Sequence, residues 1–78
     1  MIDDQIILFS TDGCHLCELA AAQLNELGIV YITTDIIDSP ALVKRYGITI
    51  PVVKRDNGCE LNWPFELEQL AHFLELEQ

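Results

Sequence analysis

The first apolar run, Ile6-Ile7-Leu8-Phe9, is short and rich in branched and aromatic side chains, the pattern of a buried β-strand. Ser10-Thr11-Asp12-Gly13 follows as a turn. Over 15–27 the period changes. Leu16, Ala20, Leu24 and Leu27 recur at spacings of four, four and three, and Leu19 widens the stripe. That pattern predicts an amphipathic helix, which Gly28 stops. Residues 29–34, Ile-Val-Tyr-Ile-Thr-Thr, are β-branched and aromatic again and predict a second strand. Strand, helix and strand so closely spaced make a βαβ unit with parallel strands and a right-handed crossover.

Residues 35–38 read as a link. Ser39 and Pro40 are the N-cap and first residue of a short helix, and Gly47 closes it after Lys44-Arg45-Tyr46, whose two cations suit the negative helix end. Ile48-Thr49-Ile50 leads into Pro51, and Val52-Val53-Lys54 predicts a third strand. Asn57-Gly58 is a two-residue hairpin signal, so Cys59-Glu60-Leu61 is expected to return antiparallel as the fourth. Trp63-Pro64-Phe65 marks the last helix, with Pro64 early in it and Glu66 and Glu68 in its favourable first turn. Leu67, Leu70, Ala71 and Leu74 form its buried stripe, Phe73 adds to it, and Trp63 and Phe65 are expected to staple it to the core. Glu75 and Glu77 sit at the unfavourable end, where fraying is expected. The order is βαβαββα, an α/β chain.

Seventy-eight residues bound one small domain, 1–78, and a half-hydrophobic composition allows a core without metals or several disulfides. No apolar run approaches the roughly 20 residues of a membrane helix. Met1-Ile2-Asp3-Asp4 carries no basic side chain and no signal pattern, so a cytoplasmic protein, most simply a monomer, is the expectation. Thirteen acidic residues against four basic give a net charge of −9. Nucleic acid and anionic membrane are therefore poor partners. Solubility is the plain role of that charge, with a weak pull on basic proteins or peptides beside it.

Candidate chemistry lies in Cys14-His15-Leu16-Cys17, where the first strand feeds the first helix. There the Cys14 sulfur meets backbone N–H groups without intrahelical partners, at the positive end of the helix dipole. That setting favours the thiolate, the nucleophile of thiol–disulfide exchange. Cys17, three residues on, lies on the same side and can close a disulfide. An odd count of three cysteines, without a secretory signal, points away from a disulfide scaffold and toward redox chemistry. A metal site and an inert pair remain alternatives. Zinc wants four ligands, and the only other soft donors are His15, Cys59 and His72. His15 either favours the thiolate or is an exposed spacer, while Asp12 and Glu18 oppose ionisation. Cys59 reads as a small strand residue, or as a third thiol open to an off-site disulfide or a glutathione cap. His72 reads as an ordinary helix histidine. Lys44, Arg45, Lys54 and Arg55 read as solvated charges, with Lys44 and Arg45 the pair placed to anchor a substrate.

With Cys14-His15-Leu16-Cys17 after the first strand and Thr49-Ile50-Pro51 before the third, nearly the whole chain resembles the thioredoxin fold in its short, glutaredoxin-like form. The Trp63-Pro64-Phe65 ending is similar to that of short bacterial dithiol glutaredoxin-like proteins. The resemblance implies a four-stranded mixed sheet with helices on both faces. It implies a thiol–disulfide oxidoreductase in which Cys14 attacks and Cys17 resolves. It also implies a cis Ile50–Pro51 bond beside the sulfurs, with the Ile50 backbone pairing to substrate. Thr49, Ile50, Pro51 and His15 are thus substrate-binding candidates beside the catalytic pair. The implied partner is a disulfide-bearing protein or glutathione, the latter as co-substrate, with no tightly bound cofactor and no metal. Two departures bear on glutathione. Ser10, Thr11 and Asp12 stand where glutaredoxins carry a lysine, and Leu61-Asn62-Trp63-Pro64 replaces their Gly-Gly-Cys/Ser-Asp stretch. Asp12 would repel an anionic tripeptide. The rival reading is a non-catalytic thioredoxin-fold binding module or a metal or iron–sulfur carrier.

Overall fold

A computed structural model describes residues 5–75. Along them run β1 (Ile6–Ser10), α1 (His15–Glu26), β2 (Tyr31–Asp35), a 3₁₀ turn (Ile36–Asp38), α2 (Pro40–Tyr46), β3 (Val52–Lys54), β4 (Glu60–Asn62) and α3 (Leu67–Phe73). The sheet order is β2-β1-β3-β4, with β1 parallel to β2 and the other pairs antiparallel. This is the expected βαβαββα mixed sheet. β1 lies inside it, so successive side chains enter opposite layers. Ile6 and Leu8 join Ala20 and Leu24 of α1, Leu70 and Leu74 at α3, Val53 and Phe65. Phe9, from the other face, joins Ile36, Tyr46 and Val52. Helices thus cover both faces. Leu8, Leu24, Leu70 and Leu74 are fully buried, and each contributes about 1.5–3 kcal/mol by leaving water.

Several local expectations are corrected. The buried stripe of α1 is Cys17, Ala20 and Leu24, with Ala21 and Leu27 partly covered, whereas Leu16 and Leu19 are 43% and 41% exposed. Leu16-Ala20-Leu24 and Cys17-Ala20-Leu24 both satisfy helical spacing. Packing against β1 and α3 selects the second and turns Cys17 inward. At the other end, Gly28 takes φ +71°, its amide donates to Asn25 O at 3.0 Å, and the Ile29 amide returns to Leu24 O at 3.1 Å. This cap consumes Ile29, so β2 begins at Tyr31 and Val30 is left exposed. The expected link at 35–38 is a 3₁₀ turn, capped by Asp35 Oδ1, which accepts the Ile37 amide at 3.0 Å.

Ser39 caps α2, its Oγ accepting the Leu42 amide at 3.4 Å. Gly47 does end α2, but at φ −54°, a conformation open to any residue. What demands glycine is space, since a Cβ there would lie 2.5 Å from the Val43 carbonyl oxygen. Tyr46, buried under Phe9 with ring centroids 4.4 Å apart, donates its hydroxyl to Glu60 Oε2. Burial first, and then that hydrogen bond, pushes the Tyr46 phenol above its ordinary pKa.

The β3–β4 connection is a three-residue loop, Asp56-Asn57-Gly58, closed by the Arg55 amide on Cys59 O at 2.8 Å. The Gly58 amide donates to Arg55 O, and Gly58 takes φ +93°. A turn followed by a left-handed glycine has replaced the two-residue turn. Cys59 is accordingly an exposed residue that closes the loop just ahead of β4, and its expected place within the strand is corrected. Pro64 lies outside α3, after a cis Trp63–Pro64 bond, and Glu66 is the N-cap, its amide donating to Gln69 Oε1 at 2.7 Å. The staple itself is present: Phe65 is buried, packs edge-on to Trp63 at 5.0 Å, and its carbonyl accepts from Gln23 Nε2 at 3.1 Å. Arg55 is not a solvated charge. Its Nη1 donates to Phe73 O and to Glu75 Oε2, both at 3.1 Å, and so satisfies the C-terminal end of α3. Glu77 lies outside the described residues.

Candidate active site

β1 carries the chain to Ser10, and the 11–13 turn, with Gly13 at φ +78°, swings it over the sheet end into α1. The Cys14 amide closes that turn on Thr11 O at 3.3 Å. Cys14 keeps extended angles as the N-cap of α1, and its Sγ accepts the Cys17 amide at 3.2 Å. A sulfur thus occupies the place where Ser or Asp oxygens usually sit, so negative charge on it is met by a backbone N–H and the helix dipole. Cys14 is half-buried, whereas Cys17 is only 5% exposed. Burial, followed by the hydrogen bond with Cys14, pushes the Cys17 thiol from 9.0 up to about 11. The two sulfurs therefore differ in character: an open one facing an amide, and a covered one that holds its proton.

Both cysteines line a cleft of about 200 Å³, formed by the 10–14 segment together with Leu8, Glu18, Ala21 and Thr33. Its two charged residues, Asp12 and Glu18, are both exposed. His15 faces solvent, and its Nδ1 lies 3.7 Å from Glu18 Oε1, so of its two readings the exposed spacer describes its position. Leu16, between the cysteines, is also open to solvent.

The last β1–β3 pair is Phe9 with Val52, so Pro51 lies at the same sheet end at which β1 runs into Cys14. The Ile50–Pro51 bond is cis. Tyr46 O organises this loop, accepting the Thr49 amide at 2.9 Å, the Ile50 amide at 3.1 Å and Thr49 Oγ1 at 3.3 Å. The Ile50 amide is therefore already engaged within the loop. The Thr49 hydroxyl is turned to the Tyr46 carbonyl, and Pro51 is fully buried. None of the three lines the cleft. Nor is Arg45 poised for substrate: it pairs with Glu60 at 3.6 Å and lies over the Tyr46 ring at 5.3 Å. His72 is exposed on α3. Among the described residues, no group of three or more His, Cys, Asp or Glu is placed to hold a metal ion, and no helix is long and apolar enough to cross a membrane.

Thr33 was missed as a cleft residue. Its signal was the βαβ unit itself: parallel pairing sets Thr33 opposite Leu8, and period-2 alternation puts it on the α1 side of the sheet.

Residues 5–75 match the family model described as Glutaredoxin-like domain (DUF836). The crystal structure of a structural genomics target protein from X. campestris is 34% identical, with a TM-score of 0.86 over 90% of this chain and 95% of that one. Protein Ne2328 from Nitrosomonas europaea, 20% identical, matches with a TM-score of 0.78 over 94% of this chain and 93% of its own. The thioredoxin-like protein BC3987, also 20% identical, matches at 0.71 over 94% of this chain and 97% of its own, and these two likenesses speak for the fold. No curated protein matches the chain. A family match across all the described residues, joined to a relative at one-third identity and to the thioredoxin-like sheet, establishes that the chain belongs to the glutaredoxin-like family of thioredoxin-fold proteins.

Proposed function

We propose that this chain is a dithiol thiol–disulfide oxidoreductase, working as a cytoplasmic monomer without a resident cofactor or metal. The observation that carries the reading is the asymmetry of the two sulfurs, with Cys14 Sγ accepting the Cys17 amide at 3.2 Å and Cys17 buried behind it. In the forward step the Cys14 thiolate bonds to one sulfur of a substrate disulfide and the other sulfur leaves as a thiolate. Cys17 then bonds to Cys14 Sγ, the second substrate sulfur leaves, and the Cys17 proton passes to a departing thiolate. The substrate gains two electrons and the protein is left with a Cys14–Cys17 disulfide, which external thiols reduce. Burial of Cys17 keeps it protonated until Cys14 is engaged, and this supports the division of roles. The Ile50 carbonyl is the backbone group offered to the bound segment.

The test is a titration of the Cys14/Cys17 pair in defined glutathione buffers, with mass analysis of the trapped species. A reversible disulfide between about −200 and −270 mV, the span from glutaredoxins to thioredoxin, is expected. Cys14→Ser is expected to abolish exchange, and Cys17→Ser to accumulate mixed disulfides on Cys14. The reading fails when no Cys14–Cys17 disulfide forms at any poise, or when Cys14→Ser retains full activity.

A further inference from the structure

Resting on the dithiol chemistry proposed above, we infer that the substrate disulfide is carried by a positively charged polypeptide segment, and that small anionic thiols are selected against at the cleft. The cleft is about 200 Å³, below the roughly 300–1,000 Å³ of pockets that enclose a small molecule. That volume suits one half of a cystine, with the rest of its carrier lying across the rim. The charged groups of the lining are the carboxylates of Asp12 and Glu18, and no lysine or arginine is among the lining residues. His15 is turned to Glu18 at 3.7 Å.

The chain's four Lys and Arg residues do not offset this field. Arg45 is paired with Glu60, and Arg55 with Glu75. Lys54 ends β3 and Arg55 follows it, away from the Pro51 end and toward the opposite end of the sheet from Cys14. Lys44 is on α2, in the layer across the sheet from α1. An incoming sulfur thus meets the two carboxylates of the cleft lining, in a field that reaches over a Debye length of about 8–10 Å, against a net charge of −9. Lys or Arg beside the substrate cystine turns that repulsion into attraction. Leu16, 43% exposed between the cysteines, adds an apolar contact that an extended segment can cover.

The test is single-turnover oxidation of the reduced protein by three peptide disulfides, identical except for Lys, Gln or Glu on both sides of the cystine. Each turnover transfers two electrons from the Cys14/Cys17 dithiol to the peptide, so no further reductant is needed. At low ionic strength the second-order rate constants are expected to fall in the order Lys, Gln, Glu, with at least tenfold between the extremes. At about 1 M salt the ratio is expected to shrink below threefold. The double variant Asp12→Asn/Glu18→Gln is expected to collapse the low-salt ratio, whereas Glu68→Gln on α3 keeps it, which separates the rim from the overall charge. Equal rates, an inverted order, or a ratio untouched by the double variant overturns the inference and leaves the dithiol reading standing. Reduction of neutral 2-hydroxyethyl disulfide without reduction of any peptide does the same. Failure with every disulfide overturns the proposed function and this inference with it.

Discussion

Burying Cys17 as a neutral thiol ties the stability of the reduced protein to pH. The comparison is made under a strong reductant, which keeps the active-site disulfide open, with Cys14 present in both proteins and Cys17 either kept or replaced by Ala. In the unfolded chain Cys17 ionises near its ordinary value of 9.0, and in the folded one near 11. Below about pH 9 the thiol is protonated in both states, and its contribution is constant and complete. Between about 9 and 11 the unfolded chain loses a proton that the folded chain holds, so stability drops by about 1.4 kcal/mol per pH unit. Above about 11 both states are ionised and the slope vanishes. The full loss is about 2–3 kcal/mol, a large share of the stability of a small domain. Urea midpoints followed by Trp63 fluorescence, at intervals from about pH 7 to 11.5, measure it. The two proteins differ only at position 17, so the difference between the two curves reports Cys17. Near neutral pH the Ala variant is expected within about 1–2 kcal/mol of its parent, as for deletion of a small buried group. Curves that stay parallel from pH 8 to 11 would show that Cys17 ionises as freely folded as unfolded, and the picture of a covered, proton-holding resolving thiol would fall.

Two further substitutions probe the scaffold that carries the site. Gly47→Ala removes flexibility at a helical φ, a change that elsewhere stabilises by about 0.4–1 kcal/mol. Here its Cβ meets the Val43 carbonyl at 2.5 Å, so a loss of about 1–3 kcal/mol in the urea midpoint is expected, and a gain would refute the steric account. Tyr46→Phe deletes a buried hydroxyl that donates to the Glu60 carboxylate, and a loss of about 1.5–3 kcal/mol is expected. Tyr46 also stacks on Phe9 and holds the 49–50 backbone through its carbonyl, both of which Phe retains. Its disulfide-exchange rate is therefore expected to stay within about threefold of wild type.

The elements were legible wherever local chemistry and burial agreed. The Ile6–Phe9 run is apolar throughout because β1 is covered on both faces, and Ser39-Pro40 capped α2 because cap chemistry acts within a few residues. Cys14 at the mouth of α1 was legible for the same reason: a strand, a turn and a helical period are all local signals. The misreadings arose where two local solutions were nearly equal. Leu16 and Cys17 both fit the helical stripe, and Leu is the more hydrophobic. Asn57-Gly58 suits a two-residue turn as well as the end of a three-residue loop. Arg55 looked solvated because its partners, Phe73 O and Glu75, are 18 and 20 residues away.

By itself the sequence determined the βαβαββα order and a cysteine at the start of α1, since period, caps and turns are written in short stretches, while helices on both faces of the sheet were only what the family resemblance implied. Tertiary structure alone decided that Cys17 faces the core, that the Ile50 amide is engaged by Tyr46 while Arg45 is paired with Glu60, and that Thr33 and Glu18 share the cleft with Cys14. Each of these depends on which surfaces meet across the sheet. Burial and charge pairing are properties of neighbours in space, and the chain carries them only as possibilities until packing selects one.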